Sequence, residues 1–223
     1  MLSRSRYVFG GISVFALSFI VTLFALNSRT AHSPRQPPPI PPLPSGNSIH
    51  ESSLADLPKI EAPGLQWIGI AKLNVRTQAG TSMVTGQPIL LLIPTKDDYY
   101  HTLAGQLIGL HNSQGYRVTA WVKPEAGGNI ELEVSDDNDG KPVNHAVGIF
   151  DLTRHMVLYG SGADKERGIE QNPDGWQKIW LDLATSTGKF VFTIRPSNGA
   201  ADIFKGDGRF GLTLGGIKAE PNS

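Results

Sequence analysis

The sequence predicts an all-β domain of two stacked sheets, carried behind an apolar N-terminal segment and a proline-rich spacer. Three observations lead there. Nearly every apolar stretch after residue 66 alternates with period two, which puts successive side chains on opposite faces of a strand. Clusters of Gly, Pro, Asn and Asp separate these stretches, and no run of ten or more residues carries a helical stripe. Glycine is frequent (25) and methionine scarce (3), which suits a turn-rich fold better than a helical bundle.

The first element is "YVFGGISVFALSFIVTLFAL", residues 7–26, uncharged throughout and flanked by arginines on both sides. At roughly 1.5 Å per residue it can just cross a hydrocarbon core of about 30 Å. A cleaved signal peptide is the competing reading. Ala31-His32-Ser33 has small residues in the two required positions, but Pro34 follows and disfavours cleavage, and Leu23 is too large to pair with Ala25. The expectation is therefore an uncleaved single-span anchor, with residues 1–6 in the cytoplasm. The charge bias of Arg4, Arg6 and the terminal amine sets this direction. It leaves the C-terminal domain outside the cytoplasm, periplasmic or extracellular, in the cell envelope.

Residues 27–65 form the spacer. "PRQPPPIPPLP" contains seven prolines in eleven residues. Such a run favours a polyproline II rod of about 34 Å. An SH3-type ligand is excluded if this segment lies outside the cytoplasm, and a stand-off spacer is the plainer reading.

Residues 66–220 are the part able to build a core, with about nine strands expected from the turn spacing. "IAKLNVR" alternates, with Ala71, Leu73 and Val75 on one side. "ILLLI" is a continuous apolar run, suited to a strand covered on both faces. In "GYRVTAWVK", Tyr116, Val118, Ala120 and Val122 face the core, leaving Arg117, Thr119, Trp121 and Lys123 outside. In "NIELEVS", Ile130, Leu132 and Val134 face in, and Glu131 and Glu133 face out. "WQKIWLDL" directs Ile179, Leu181 and Leu183 inward, with Trp180, Lys178 and Asp182 opposite. "FVFTIR" buries Phe190, Phe192 and Ile194 and turns Arg195 outward. One sheet could not bury so many apolar faces, so two sheets must pack together.

The succession "YRVTAWVK", "NIELEVSD", "DGWQKIWLDL" and "RFGLTLGGIK" resembles the jelly-roll sandwiches of carbohydrate-binding modules and their galactose-binding-like relatives. "GIFDLTRHMVLYGSG", followed by a Gly-Trp strand, also resembles sandwich domains attached to phage and surface proteins. The resemblance covers residues 66–220 and rests on strand and turn residues. It implies a jelly-roll β-sandwich and a non-catalytic sugar or surface binder. It supplies no motif residue to carry over.

Alternation also nominates a ligand face. Trp121 and Trp180 fall among charged neighbours, and sugar sites combine an aromatic plane for the apolar face of a pyranose with charged groups for its hydroxyls. The candidate binding residues are Trp121, Trp180, Arg117, Lys123, Glu131, Glu133 and Arg195. The competing reading is an outer sheet face covered by a segment of the chain, against which the indoles pack. "KDDYYHT", residues 96–102, is a loop whose Tyr99 and Tyr100 either form a rim contact or cap the sandwich.

Other motifs exclude more than they assign. "SDDNDG", residues 135–140, lacks the carboxylates of an EF-hand at both ends and reads as a hairpin turn. "GDGRFG", residues 206–211, matches G-x-G-x-x-G, but a strand rather than a helix follows it. Six histidines show no metal-ligand spacing, Ser161 lacks the G-x-S-x-G elbow, and there is no cysteine. No motif supports an enzyme, a cofactor or a metal. Twenty basic and twenty acidic residues cancel, so no net field argues for nucleic acid. Two classes of function remain: a membrane-anchored module binding cell-surface or extracellular polysaccharide, or a structural domain docking on another envelope protein. In both, the lipid bilayer is a partner through residues 7–26.

Overall fold

The computed structural model describes residues 51–57, 64–125, 128–138, 141–197, 204–208 and 211–222. The chain divides into two units, Met1–Leu43 and Pro44–Ser223, and every described residue belongs to the second. The expected anchor at 7–26, the stub at 1–6 and most of the spacer lie outside the described residues. Among those described, no helix is long and apolar enough to cross a membrane.

The described chain is all-β apart from a single 3₁₀ turn at Leu54–Asp56. In order, the strands are β1 (Leu65–Ala71), β2 (Leu73–Thr81), β3 (Pro88–Pro94), β4 (Asp98–Tyr99) and β5 (Thr102–Ile108). There follow β6 (Gly115–Pro124), β7 (Asn129–Asn138), β8 (Lys141–Asp151), β9 (Met156–Gly162) and β10 (Arg167–Gln171). The last are β11 (Gln177–Ala184), β12 (Lys189–Ser197), β13 (Phe204–Lys205) and β14 (Leu212–Pro221).

Two six-stranded antiparallel sheets result. The first has the order β1-β5-β12-β7-β8-β9, and the second β10-β11-β6-β14-β3-β2. Consecutive long strands change sheet, β5 to β6 to β7 and again β11 to β12 to β14, so neither sheet closes without the other. This alternation between two facing sheets is the winding that a double-sheet jelly roll requires.

The core lies where the period-two pattern puts it. Tyr116, Val118, Ala120 and Val122 meet Ile130, Leu132 and Val134, and Ile179, Leu181 and Leu183 meet Phe190, Phe192 and Ile194, all buried. Aromatic rings of this size need room. Phe192 takes it by lying over Gly105, where an added Cβ would sit 2.4 Å from the ring. Burying such rings and branched chains contributes about 1.5–3 kcal/mol each and stabilises both sheets together.

Two local readings differ from the structure. "IAKLNVR" is not one strand, because Lys72 sits at φ 53° between β1 and β2. Its main chain is held there: Glu51 accepts from the Lys72 N–H at 2.7 Å, and the Lys72 carbonyl receives the Thr95 N–H at 2.9 Å. The hairpin expected at "SDDNDG" is present, since Asn138 of β7 pairs with Lys141 of β8, but "SDDN" itself extends β7 and its Asp136 is fully buried.

Candidate functional site

The seven sequence-nominated residues separate onto opposite sides of the sandwich. Arg117, Trp121 and Lys123 come from β6 and Trp180 from β11, both in the second sheet. Glu131 and Glu133 come from β7 and Arg195 from β12, in the first. Every one of them points away from the core, but the two outer faces look in opposite directions.

On the second sheet the outer face closes upon itself. Arg117 faces Asp182 in register and grips it with two bonds, Nε to Oδ1 and a terminal nitrogen to Oδ2, both 2.8 Å. Glu166 accepts a further bond from Arg117 at 3.2 Å. The same guanidinium lies 4.9 Å from the Trp180 ring centre, and Lys178 stands 5.7 Å from it. Gly168 of β10 makes room for this indole, since an added Cβ would come within 2.2 Å of it. Trp121 carries the Lys218 ammonium 5.0 Å from its ring centre and is only 5% exposed. An indole so covered offers no free plane to a sugar ring. Lys123 is exposed at the far end of β6, opposite Thr213. The face is a ladder of cations stacked on aromatics, and within it Trp180 Nε1 and Thr119 Oγ1 are buried without a hydrogen-bond partner among the described residues.

The first sheet presents a different surface. Arg195 and Glu131 are register partners, and the line continues through Ile149 of β8 to Tyr159 of β9. The parallel line runs from Ala104 through Thr193, Glu133 and Val147 to Ser161. Arg195 is the hub. It donates to the Glu131 carboxylate, to Glu133 Oε2 at 2.7 Å and, through Nε, to Thr102 Oγ1 at 3.3 Å. Thr193 donates to Glu133 Oε2 at 3.0 Å, and His145 Nε2 lies 2.7 Å from Glu133 Oε1. Because an ionised carboxylate only accepts, that last contact places a proton on Nε2.

Electrostatics make this network a stable floor. Burial alone raises the Glu133 carboxyl, but the Arg195 charge and the His145 and Thr193 hydrogen bonds outweigh it, holding the group below the ordinary carboxylate range. The Glu131 side chain is 5% exposed, while Arg195 and Glu133 keep 22% and 25% of their side chains in solvent.

Aromatics stand at both margins of this floor. Tyr100 is exposed and lies 5.6 Å from the Arg195 guanidinium, with Tyr99 edge-on to it at 5.8 Å. Tyr99 keeps half of its surface in solvent and Tyr100 somewhat less. At the other margin Tyr159 is 54% exposed. From Arg195 to Tyr159 the line crosses three strand spacings, about 14 Å in all. Between them Ile149 and Val147 add half-buried apolar surface. Sequence reasoning missed His145 and Tyr159. Alternation along "HAVGIF" could have found His145, which shares a face with Val147 and Ile149. Tyr159 gave no such signal, because its exposure depends on β9 being an edge strand. Among the described residues, no group of three or more His, Asp or Glu side chains could hold a metal ion.

The fold and site thus define an all-β, two-sheet domain with a polar, aromatic-rimmed outer face. No protein-family model matches the chain, and no curated protein does. Among solved structures it is similar to a family 61 carbohydrate-binding module in complex with β-1,4-galactotriose, at TM-score 0.41 and 13% identity, covering 73% of this chain and 97% of that one. It is also similar to the CBM22-1 xylan-binding domain of Paenibacillus barcinonensis Xyn10C, at TM-score 0.37 and 11% identity, covering 72% and 86%. A third is the enzymatically active domain of bacteriophage CBA120 tailspike protein 4, at TM-score 0.42 and 10% identity. There the match covers 71% of this chain and 19% of the tailspike chain. Carbohydrate-binding modules are thus among its structural neighbours. No residue role is carried over from them.

Proposed function

We propose that the chain is a membrane-anchored, non-catalytic module that binds polysaccharide on the outer face of its first sheet. Residues 7–26 serve as the single span, 27–65 as the spacer and 66–220 as the binding domain outside the cytoplasm. One observation carries the binding reading. The network fixes the partly exposed Arg195 and Glu133 as donor and acceptor, and exposed Tyr100 and Tyr159 stand on either side, Tyr159 about 14 Å from Arg195. A glycan needs this pairing of hydroxyl partners with ring-stacking planes. Trp121 is left out of the site because its ring is covered.

Glycan-panel titration of the purified protein tests the proposal. Tyr159→Ala should weaken binding by about 1–3 kcal/mol, typical for losing an aromatic anchor. Its melting temperature should hardly move, since the ring is mostly in solvent. Tight glycan binding that ignores both Tyr159→Ala and Tyr100→Ala would remove this face from consideration.

The second reading, docking on another envelope protein, is favoured by the covered state of Trp121. It would be preferred if no glycan of the panel bound and the purified chain co-migrated with one defined envelope protein.

A further inference from the structure

The connection between β2 and β3 is a locked apolar tip. Met83 is fully exposed, at 103% of its reference area, and Val84 is half-exposed beside it. The turn beneath them is closed by its own main chain. The Gly86 N–H donates to the Ser82 carbonyl at 2.8 Å, and the Ser82 N–H to the Gln87 carbonyl at 2.8 Å. Ser82 Oγ accepts from the N–H groups of Val84 and Thr85, both at 3.3 Å. The loop is also pinned to β14. Thr85 Oγ1 donates to the Gly215 carbonyl at 2.5 Å, and the Gln87 amide bonds both the carbonyl and the N–H of Ile217, at 2.8 and 2.9 Å. Two apolar side chains are therefore held in water by a loop with little freedom to hide them.

The surrounding sequence is uncharged from Thr77 to Thr95, between Arg76 and Lys96. The interfacial layer of a bilayer accepts such a tip, because its apolar side chains gain burial there and the loop brings no charge with it. We propose that the Met83–Val84 tip enters the interfacial region of a lipid bilayer.

The chain's own layout is compatible with this. It joins the described domain beside the start of β2, where the Ser52 N–H donates to the Leu73 carbonyl at 2.8 Å and Lys72 pairs with Glu51 at 3.3 Å. The tip lies at the other end of β2, about 27 Å away. Residues 27–50 separate the uncharged apolar stretch 7–26 from this entry point. Fully extended they reach roughly 80 Å, several times the length of β2. On the anchor proposed above, on which this inference rests, a linker of this length leaves the same bilayer within reach of the tip. Since the tip carries no cation, apolar burial drives the contact and anionic lipid is not needed.

Because the chain lacks cysteine, Met83→Cys creates a unique labelling position. The full chain, carrying an environment-sensitive fluorophore at position 83, would be reconstituted in phosphatidylcholine vesicles. Blue-shifted emission and several-fold quenching by spin-labelled lipid are expected, unchanged by added phosphatidylserine or by salt. The same label at exposed Lys165→Cys should remain water-like. Adding Val84→Asp to Met83→Cys should return position 83 to the aqueous signal. Water-like emission at position 83 without lipid quenching would overturn the proposal. So would a blue shift that lipid quenchers do not touch, which would assign the tip to contact between copies of the chain.

Discussion

Replacing Arg195 with methionine tests whether the first-sheet network is a structural unit as well as the proposed binding floor. The substitution keeps an unbranched side chain on β12 but removes the charge that faces Glu131 and Glu133. Glu131 stays where it is, with a side chain only 5% exposed. Breaking a buried pair from one side costs about 3–5 kcal/mol, because the remaining carboxylate loses the guanidinium charge but not its burial. Arg195 is 22% exposed, so solvent recovers part of this, and the lower end, about 3 kcal/mol, is expected. In a domain of this size that corresponds to a fall in melting temperature of roughly 6–12 °C.

The assay is urea unfolding of the purified wild type and variants, followed by tryptophan fluorescence. Combining Arg195→Met with Glu131→Gln should restore a measurable part of the loss, since the second change discharges the carboxylate that faced the guanidinium. A coupling of about 0.5–3 kcal/mol is expected for groups in one network. If Arg195→Met costs less than about 1 kcal/mol, the range of exposed pairs, the network is a surface ornament and the reasoning fails. Strictly additive single and double variants would refute it equally.

Two further outcomes follow from packing and charge. Trp121→Ala should destabilise the domain by about 3–5 kcal/mol, as for other buried aromatic truncations, and leave glycan affinity unchanged. Melts run beside glycan titrations check both halves. Asp136 is buried and accepts from the hydroxyls of Thr185, Ser186 and Thr187 and from the Ser186 N–H, tying the β11–β12 turn to β7. Burial raises its carboxyl, but these hydrogen bonds outweigh burial and lower it, as they do at Glu133. Both groups therefore stabilise fully above the unfolded carboxylate range near 4, and their contribution is lost as pH falls through their lower folded values. Asp136→Asn should cost on the order of 1.5–3 kcal/mol at neutral pH and flatten the acid limb of the stability curve. That limb is read from chemical unfolding between neutral pH and the acid transition.

How much of this was legible in the sequence depends on the range of the forces involved. The core faces of β6, β7, β11 and β12 follow from period two alone, because the alternation of side chains along a strand is local. Lys72 left no such trace: a left-handed lysine is imposed by Glu51, Thr95 and the bend between two sheets, not by its own preference. The candidate site fell between these cases. Trp121 and Glu131 lie ten residues apart, each outward from its strand, and alternation assigned them one common description. Yet β6 pairs with β11 and β14, while β7 pairs with β12 and β8, so the two residues look away from each other across the whole core. Only long-range pairing carries that distinction. It also decides exposure. Trp121 has strands on both sides, and neighbouring long side chains close over it. Tyr159 sits on β9, which pairs on one side only within its sheet, and its ring stays in solvent. The larger aromatic was the stronger signal in the sequence. The smaller one, at the edge, is the one a ligand can reach.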